Sequence, residues 1–210
     1  MPENTREFVG LKQLLTEILG EICSISDCQS IGIRIHNNGD YPYYVHEGFP
    51  EFFITKENSV CAKDEKDTPI LDEGGNPLLE CMCGNVIKGR FDQKQSYFTE
   101  KGSFWTNSTT QLLKGFTEKE KQIHLRNMCN YSGYESVALI PLRAGNEKLG
   151  LIQMNDPREN MFTLEDVKNY EAIADQVGSV VLNVFEARKT MNEFCELVNK
   201  LKSNKRFFEY

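Results

Sequence analysis

The sequence predicts an α+β fold in which an antiparallel sheet packs against helices and a long helix ends the chain. Two Val-, Leu- and Ile-rich runs, at 135–142 and 148–156, are joined by a short connection containing Gly, which is typical of a hairpin. A helix start signal follows, with Thr163 at the N-cap and the acidic Glu165 and Asp166 in the first turn. An apolar pattern of helical period continues from there. We therefore expect two central strands that are covered by a helix.

The N-terminal half adds a helix and a second hairpin. Apolar residues recur every three or four positions over 7–25, which predicts an amphipathic helix. Residues 30–36 alternate between apolar and other side chains, 37–40 have turn composition, and 43–45 complete the predicted hairpin. By contrast, 56–102 shows little periodicity, and a connection of that length is usually a lid or binding loop.

Two shorter elements are predicted between that connection and the central hairpin. Residues 103–105 indicate a short strand, and 107–110 supply several residues that favour a helix N-cap. Thr117 and Glu120 form a capping box, so a further helix is expected from Thr117 to about Cys129.

The C-terminal helix is expected from about Thr163 to Ser203, with a heptad pattern. The apolar heptad positions are Tyr170, Ile173, Val177, Val180, Val184, Ala187, Met191, Phe194, Val198 and Leu201. Beyond about Arg188 nothing else in the chain is left to cover this stripe. A second copy is expected to cover it, in a parallel coiled coil or a four-helix arrangement with the N-terminal helix; the alternative is that the stripe folds back on its own N-terminal helix. The chain is thus divided into an N-terminal helix (1–25), a globular domain (26–187) and a helix extension with a tail (188–210).

Composition excludes several classes of function. The chain has 31 acidic and 24 basic residues and a net charge of −7, which argues against sequence-independent nucleic-acid binding. No apolar run approaches the roughly 18–20 residues that span a bilayer, and the N-terminus lacks the features of a secretory signal. We expect a cytoplasmic protein without nucleic-acid or membrane partners, whose seven cysteines are reduced.

The order of these elements resembles that of a GAF domain over about residues 8–188. The resemblance depends most on three stretches: 133–142, 149–156 and 162–163. Four further stretches are similar to GAF modules of sensor histidine kinases from anaerobic bacteria and methanogenic archaea: 40–44, 79–87, 102–110 and 126–130. The resemblance implies a six-stranded antiparallel sheet with helices on one side and a ligand pocket on the other. Because no kinase region follows the last helix, a separate signalling protein is expected to receive the output.

Cysteines supply the sharpest chemical signal. Cys81 and Cys83 are two residues apart, and the resemblance brings the loops of Cys61 and Cys129 to the same side of the pocket. Four thiolates suit zinc or an iron–sulfur cluster, and some related modules hold haem through a cysteine. The alternatives are inert buried thiols and a redox switch.

A second candidate site is the predicted helix start after the short strand. Asn107, Ser108 and Thr109 offer polar groups beside free backbone N–H groups, which suits an anion or a polar ligand. Trp105 would supply an aromatic wall and Arg126 a charge. The alternatives are ordinary N-capping and a structural salt bridge of Arg126.

No constellation of residues supports enzyme chemistry. The sequence has no His-Glu-x-x-His pair, no Gly-rich phosphate loop and no Gly-x-Ser-x-Gly elbow. The preferred interpretation is a non-catalytic module that senses a small molecule or a redox change and acts through a partner. The alternatives are a thiol-dependent redox enzyme of the methionine sulfoxide reductase type and a purely structural dimerisation module.

Overall fold

The computed structural model describes residues 9–116 and 126–206. The elements in chain order are α1 (Val9–Ser26), β1 (Ser30–Ile35), β2 (Tyr43–Glu47), α2 (Glu51–Glu57), α3 (Cys81–Lys88), β3 (Phe104–Thr106), α4 (Thr109–Gly115), α5 (Met128–Tyr131), β4 (Ser136–Ala144), β5 (Glu147–Asp156) and α6 (Leu164–Arg206). The helix expected from Thr117 falls largely outside the described residues. Of the described residues near the expected end of that helix, only the short α5 is helical.

The central hairpin is confirmed as β4 and β5, whose paired residues run from Ser136 opposite Asp156 to Ala144 opposite Glu147. The sheet order is β2-β1-β5-β4-β3, and every pair is antiparallel. Gly150 on β5 is required by this packing, because a Cβ there would lie 1.8 Å from the carbonyl oxygen of Arg34 on β1. The two N-terminal strands and the short third strand are also confirmed.

The expectation of six strands is corrected, since the described residues form a five-stranded sheet. The outer side of β3 is occupied by 97–99, which makes a single bridge between Phe98 and Phe104. Two backbone hydrogen bonds accompany it, from Trp105 N to Tyr97 O and from Thr99 N to Ser103 O. The ladder is too short to count as a further strand.

Side chains of the sheet divide into two cores, one on each face. On β5, Ile152 and Met154 pack with α1 and α6, whereas Leu151 faces the core of α2, α3 and their loops. This division follows from the two-residue repeat of a strand, which sends successive side chains to opposite faces. The sheet therefore separates α6 from the space beneath α3, α4 and α5.

Helix α6 has two distinct halves. The first half buries Val167, Tyr170, Ala174, Val177 and Val181 against the sheet. In the second half, a group of large apolar side chains is between 56% and 60% exposed: Met191, Phe194, Leu197 and Leu201. The stripe therefore does not fold back on α1 within the described residues.

None of the helices in the described part of the chain combines the length and apolarity that crossing a membrane requires.

Candidate functional site

A cavity of about 60 Å³ lies between the sheet and the helices α3, α4 and α5. Its walls carry five sulfur-containing side chains, which belong to Cys81, Met82, Cys83, Met128 and Cys129. The remaining lining comes mainly from apolar residues of β3, β4 and α4. The structure thus brings three of the four predicted cysteines to one hollow, on the face of the sheet opposite α6.

Cys81 begins α3 in a backbone conformation that side chains disfavour. Its φ is 62°, in the left-handed region, which costs a residue with a Cβ roughly 1–2 kcal/mol. Asn127, which also lines the cavity, has a positive φ as well, but asparagine tolerates that region. Strain of this kind is concentrated at functional sites in proteins, which makes the start of α3 a candidate position for ligand contact.

Gln153 on β5 joins two of the cavity thiols to a buried polar network. Its Oε1 accepts hydrogen bonds from Arg34 Nε (3.2 Å) and Tyr43 Oη (2.7 Å), and Cys83 Sγ donates to the same oxygen at 3.8 Å. Its Nε2 donates to Cys129 Sγ at 3.7 Å. The side-chain amide of Gln153 therefore forms hydrogen bonds with both Cys83 and Cys129.

Arg34 is a functional candidate that the sequence analysis missed. Its guanidinium is buried, lies 3.6 Å from the centre of the Tyr43 ring and donates to the carbonyl oxygens of Tyr41 (3.0 Å), Glu57 (2.6 Å) and Asn58 (3.2 Å). The signal in the sequence is an arginine at one of the non-apolar positions of the alternating strand β1. Every residue of β1 is in fact buried.

The cavity thiols are protonated at neutral pH. Burial raises the pKa of Cys83 to about 12, and burial also raises the pKa values of Cys81 and Cys129. A nucleophilic cysteine needs a lowered pKa, because the thiolate is the reactive form. The raised pKa values therefore disfavour the thiolate form in this cavity.

Cys61 lies apart from the other three thiols. It is buried beside Asp40, with its Sγ 4.0 Å from the carbonyl oxygen of Gly39, and it does not line the cavity. Across 9–116 and 126–206, no three His, Cys, Asp or Glu side chains form a group that could hold a metal ion. Zinc or cluster ligation by Cys61, Cys81, Cys83 and Cys129 has no support in this geometry. Haem does not fit the cavity either, because pockets for drug-sized ligands occupy roughly 300–1,000 Å³.

The predicted anion site at the start of α4 holds a carboxylate of the chain itself. Glu135 Oε2 accepts from Ser108 Oγ (2.9 Å) and from the backbone N–H of Thr110 (3.1 Å), and its Oε1 accepts from Thr110 Oγ1 (2.6 Å). Thr109 Oγ1 donates to the carbonyl oxygen of Tyr134 at 2.6 Å. These contacts match the N-capping interpretation.

Replacing Glu135 by glutamine is expected to destabilise the protein by about 1 kcal/mol at neutral pH, since charged acceptors form the stronger hydrogen bonds. Burial raises the pKa of Glu135, but the hydrogen bonds from Thr110 and Ser108 outweigh it and lower the pKa below the usual 4.5. The carboxylate therefore stabilises the fold above pH 4.5, and this contribution is lost as the pH falls below that value.

Urea unfolding of the wild type and Glu135→Gln between pH 3 and pH 7 measures this effect. The exposed Glu147→Gln serves as the control and should show no such pH-dependent gap. A gap between wild type and Glu135→Gln that stays constant as the pH falls would contradict the assignment.

Asn107 and Trp105 do not face the cavity. Asn107 Nδ2 donates to the carbonyl oxygen of Phe162 (2.7 Å), and the N–H of Phe162 donates to Asn107 Oδ1 (3.0 Å), so this amide fixes the chain before α6. Trp105 packs with the core of α1 and α6. Its neighbour Phe104 points the other way and is the aromatic residue of the cavity wall.

Arg126 forms a structural ion-pair cluster. Its Nε lies 3.0 Å from Glu80 Oε1, its Nη1 lies 3.6 Å from Glu57 Oε1, and its Nη2 donates to the carbonyl oxygen of Ser59 at 2.8 Å. These contacts fix the chain that enters α5 against the ends of α2 and α3. The salt-bridge interpretation of Arg126 describes this position.

An antiparallel sheet with α1 and α6 on one face and a cavity under α3–α5 on the other defines the GAF fold, which is the fold of this chain. No family model and no curated protein matches the sequence. The likeness is therefore to solved structures.

Three of these structures illustrate the likeness. A GAF domain of an Acinetobacter phosphoenolpyruvate-protein phosphotransferase is 12% identical, with a TM-score of 0.54 over 86% of this chain and 87% of that one. The GAF domain of the Coxiella burnetii phosphoenolpyruvate-protein phosphotransferase is 13% identical, with a TM-score of 0.53 over 85% and 86%. A domain described as part of a two-component sensor histidine kinase from Sinorhizobium meliloti is 12% identical, with a TM-score of 0.52 over 89% and 99%. At these identities the comparison establishes the fold.

Proposed function

We propose that the chain is a non-catalytic sensory GAF module. A small molecule enters the sulfur-lined cavity, and its presence is transmitted through α6 to a separate signalling protein. The observation that supports this proposal is a set of direct contacts between α6 and the segment that leads into the cavity wall. The membership of similar domains in a sensor kinase and in phosphotransferases fits such a role.

The contacts involve a buried carboxylate on α6. Glu171 Oε1 accepts hydrogen bonds from Thr99 Oγ1 (2.5 Å) and Ser103 Oγ (2.6 Å). Ser103 is followed directly by Phe104, which lines the cavity. A displacement of Phe104 by a bound molecule would therefore pull on two hydrogen bonds that end on α6.

A surface ion pair reinforces the same connection. Lys101 Nζ lies 2.9 Å from Asp175 Oδ2 on α6, and the carbonyl oxygen of Lys101 accepts from Arg143 Nη1 of β4 at 2.7 Å. The segment before β3 is thus bound to the helix and to the sheet. An exposed ion pair contributes little energy by itself, so we assign the main coupling to Glu171.

Filling the cavity with a side chain tests this function without knowledge of the ligand. Leu113→Trp places a larger side chain at a half-buried position of the wall and is expected to change hydrogen–deuterium exchange in both 99–103 and α6. Lys114→Trp, on the exposed face of α4 and outside the cavity lining, is the control and should leave α6 unchanged. A folded Leu113→Trp variant with unaltered exchange in α6 would refute the proposed transmission.

We further propose that a second copy of the chain covers the second half of α6. Ile173 and Val180 are only half-buried by the sheet, so the heptad stripe that starts there continues without interruption to Met191, Phe194 and Leu201. A continuous stripe of this kind is the pattern that pairs in a coiled coil. The pairing would connect the movement of α6 to a partner.

Phe194→Glu is expected to convert a dimer into monomers, because it places a charge in the centre of the apolar stripe. Sedimentation velocity at about 10 µM measures the change. Asn192→Glu adds the same charge to an exposed position beside the stripe and should leave the dimer intact. Equal sedimentation of the wild type and Phe194→Glu would exclude this interface.

A further inference from the structure

We infer that the ligand of this cavity is a small uncharged molecule of roughly two to five non-hydrogen atoms and that ions are excluded. The inference depends on the proposed sensory function, because it names the chemical class that such a sensor would detect. Three features of the cavity support it: its volume, the pairing of nearby charges and the nature of its polar wall groups.

The volume sets the size of the ligand. The cavity measures about 60 Å³, whereas a single water molecule needs roughly 10–15 Å³ and an apolar cavity of about 150 Å³ accommodates benzene. The space therefore admits a gas or a small volatile molecule. Nucleotides and tetrapyrroles are several times too large for it.

The charged groups nearest the cavity are already paired within the protein. Arg34 donates to backbone carbonyls and to Gln153, which separates it from the thiols, and Arg126 is paired with Glu57 and Glu80. An ion in the cavity would therefore meet no unpaired opposite charge among the described residues. Transfer of an unpaired ion from water to such a place costs several kcal/mol.

The Glu135 carboxylate at the start of α4 is also hydrogen-bonded within the protein. Glu135 accepts three hydrogen bonds from Ser108 and Thr110, so it offers little to a cationic ligand. It simultaneously blocks the helix N-terminus for an anion. Neither sign of ligand charge is favoured at this end of the cavity.

Of the three polar residues in the cavity wall, Thr109 and Asn130 form hydrogen bonds within the protein, and the third is Asn127. The Thr109 hydroxyl donates to the carbonyl oxygen of Tyr134, and Asn130 Nδ2 donates to the hydroxyls of Thr109 and Thr110. The remaining surface consists mainly of carbon and of neutral sulfur, which is soft and polarisable. Such a surface favours dispersion contacts with an uncharged ligand over hydrogen bonding.

The test uses three planar, Y-shaped probes with four non-hydrogen atoms each: isobutene, acetate and guanidinium. They differ mainly in charge, being neutral, anionic and cationic. With ¹³C-methyl-labelled methionine, the Met82 and Met128 resonances report on the cavity wall. We expect isobutene to shift both resonances and to half-saturate at a concentration at least about tenfold below that of either ion. Xenon, which binds dry apolar cavities, should shift the same two resonances.

Leu113→Trp should abolish the isobutene shifts, and Lys114→Trp should retain them. Acetate or guanidinium binding as tightly as isobutene would overturn the inference, as would an absence of shifts with both isobutene and xenon in the unmodified chain. The proposed function fails separately, by unaltered α6 exchange in Leu113→Trp. Binding of isobutene without any change in α6 would therefore uphold the ligand class and refute the sensory role.

Discussion

Gln153→Leu is expected to lower the free energy of unfolding by about 2–4 kcal/mol, because Arg34 and Tyr43 lose their shared side-chain acceptor. The substitution leaves the buried Arg34 Nε and the half-buried Tyr43 Oη without their shared partner. Leucine and glutamine have similar volumes, so the loss reports on polar groups rather than on packing. Urea denaturation monitored by circular dichroism measures the change.

Two variants isolate the cause. Gln153→Glu keeps an oxygen acceptor for Arg34 and Tyr43 and should recover a substantial part of the loss at neutral pH. Gln111→Leu makes the same change as Gln153→Leu at an exposed position and should have an effect within about 0.5 kcal/mol. If Gln153→Leu lowered the free energy of unfolding no more than Gln111→Leu does, the hydrogen-bond network around Gln153 would make no measurable contribution to stability.

Gly178→Ala is expected to destabilise the protein by about 2 kcal/mol, although alanine favours helices over glycine. A Cβ at position 178 would lie 2.2 Å from the carbonyl oxygen of Arg143, so α6 would have to move away from β4. For a chain of this size the loss corresponds to a decrease in melting temperature of roughly 4–8 °C. Differential scanning calorimetry measures it.

Gly20→Ala provides the matched control within another helix. No atom lies within 4 Å of a Cβ at position 20, so alanine should stabilise α1 by roughly 0.5–1 kcal/mol. The same substitution is therefore expected to have opposite signs at the two glycines. Equal effects would mean that the close approach of α6 and β4 at Gly178 is not maintained in solution.

Much of the fold could be predicted from local patterns. The β4–β5 hairpin, the alternating strand β1 and the amphipathic α1 were recognisable because each pattern is set by residues close together in sequence. The sixth strand was an inference from the resemblance. The segment 97–99 that lies beside β3 makes only one bridge, and no local pattern distinguishes such a segment from a strand.

The candidate site was predictable only in part. Cys81, Cys83 and Cys129 line one cavity, whereas Trp105 packs on the other side of the sheet. A shift of one residue along β3 exchanges Phe104 for Trp105 at the cavity, and the sequence offers no means of fixing that choice because both residues are large and aromatic. Glu135 likewise fills the start of α4 from a position 25 residues away in sequence from Thr110.

By itself, the sequence determined most of the strands, the first and last helices, the acidic character of the chain and the heptad stripe of α6, since these depend on short-range periodicity and composition. Only the tertiary structure decided which polar groups meet. It placed Arg34 on Gln153, Glu135 on the start of α4 and Glu171 on the segment before β3. Each of these contacts joins residues far apart in the chain, and the buried Arg34 and Glu171 need such partners because water does not reach them.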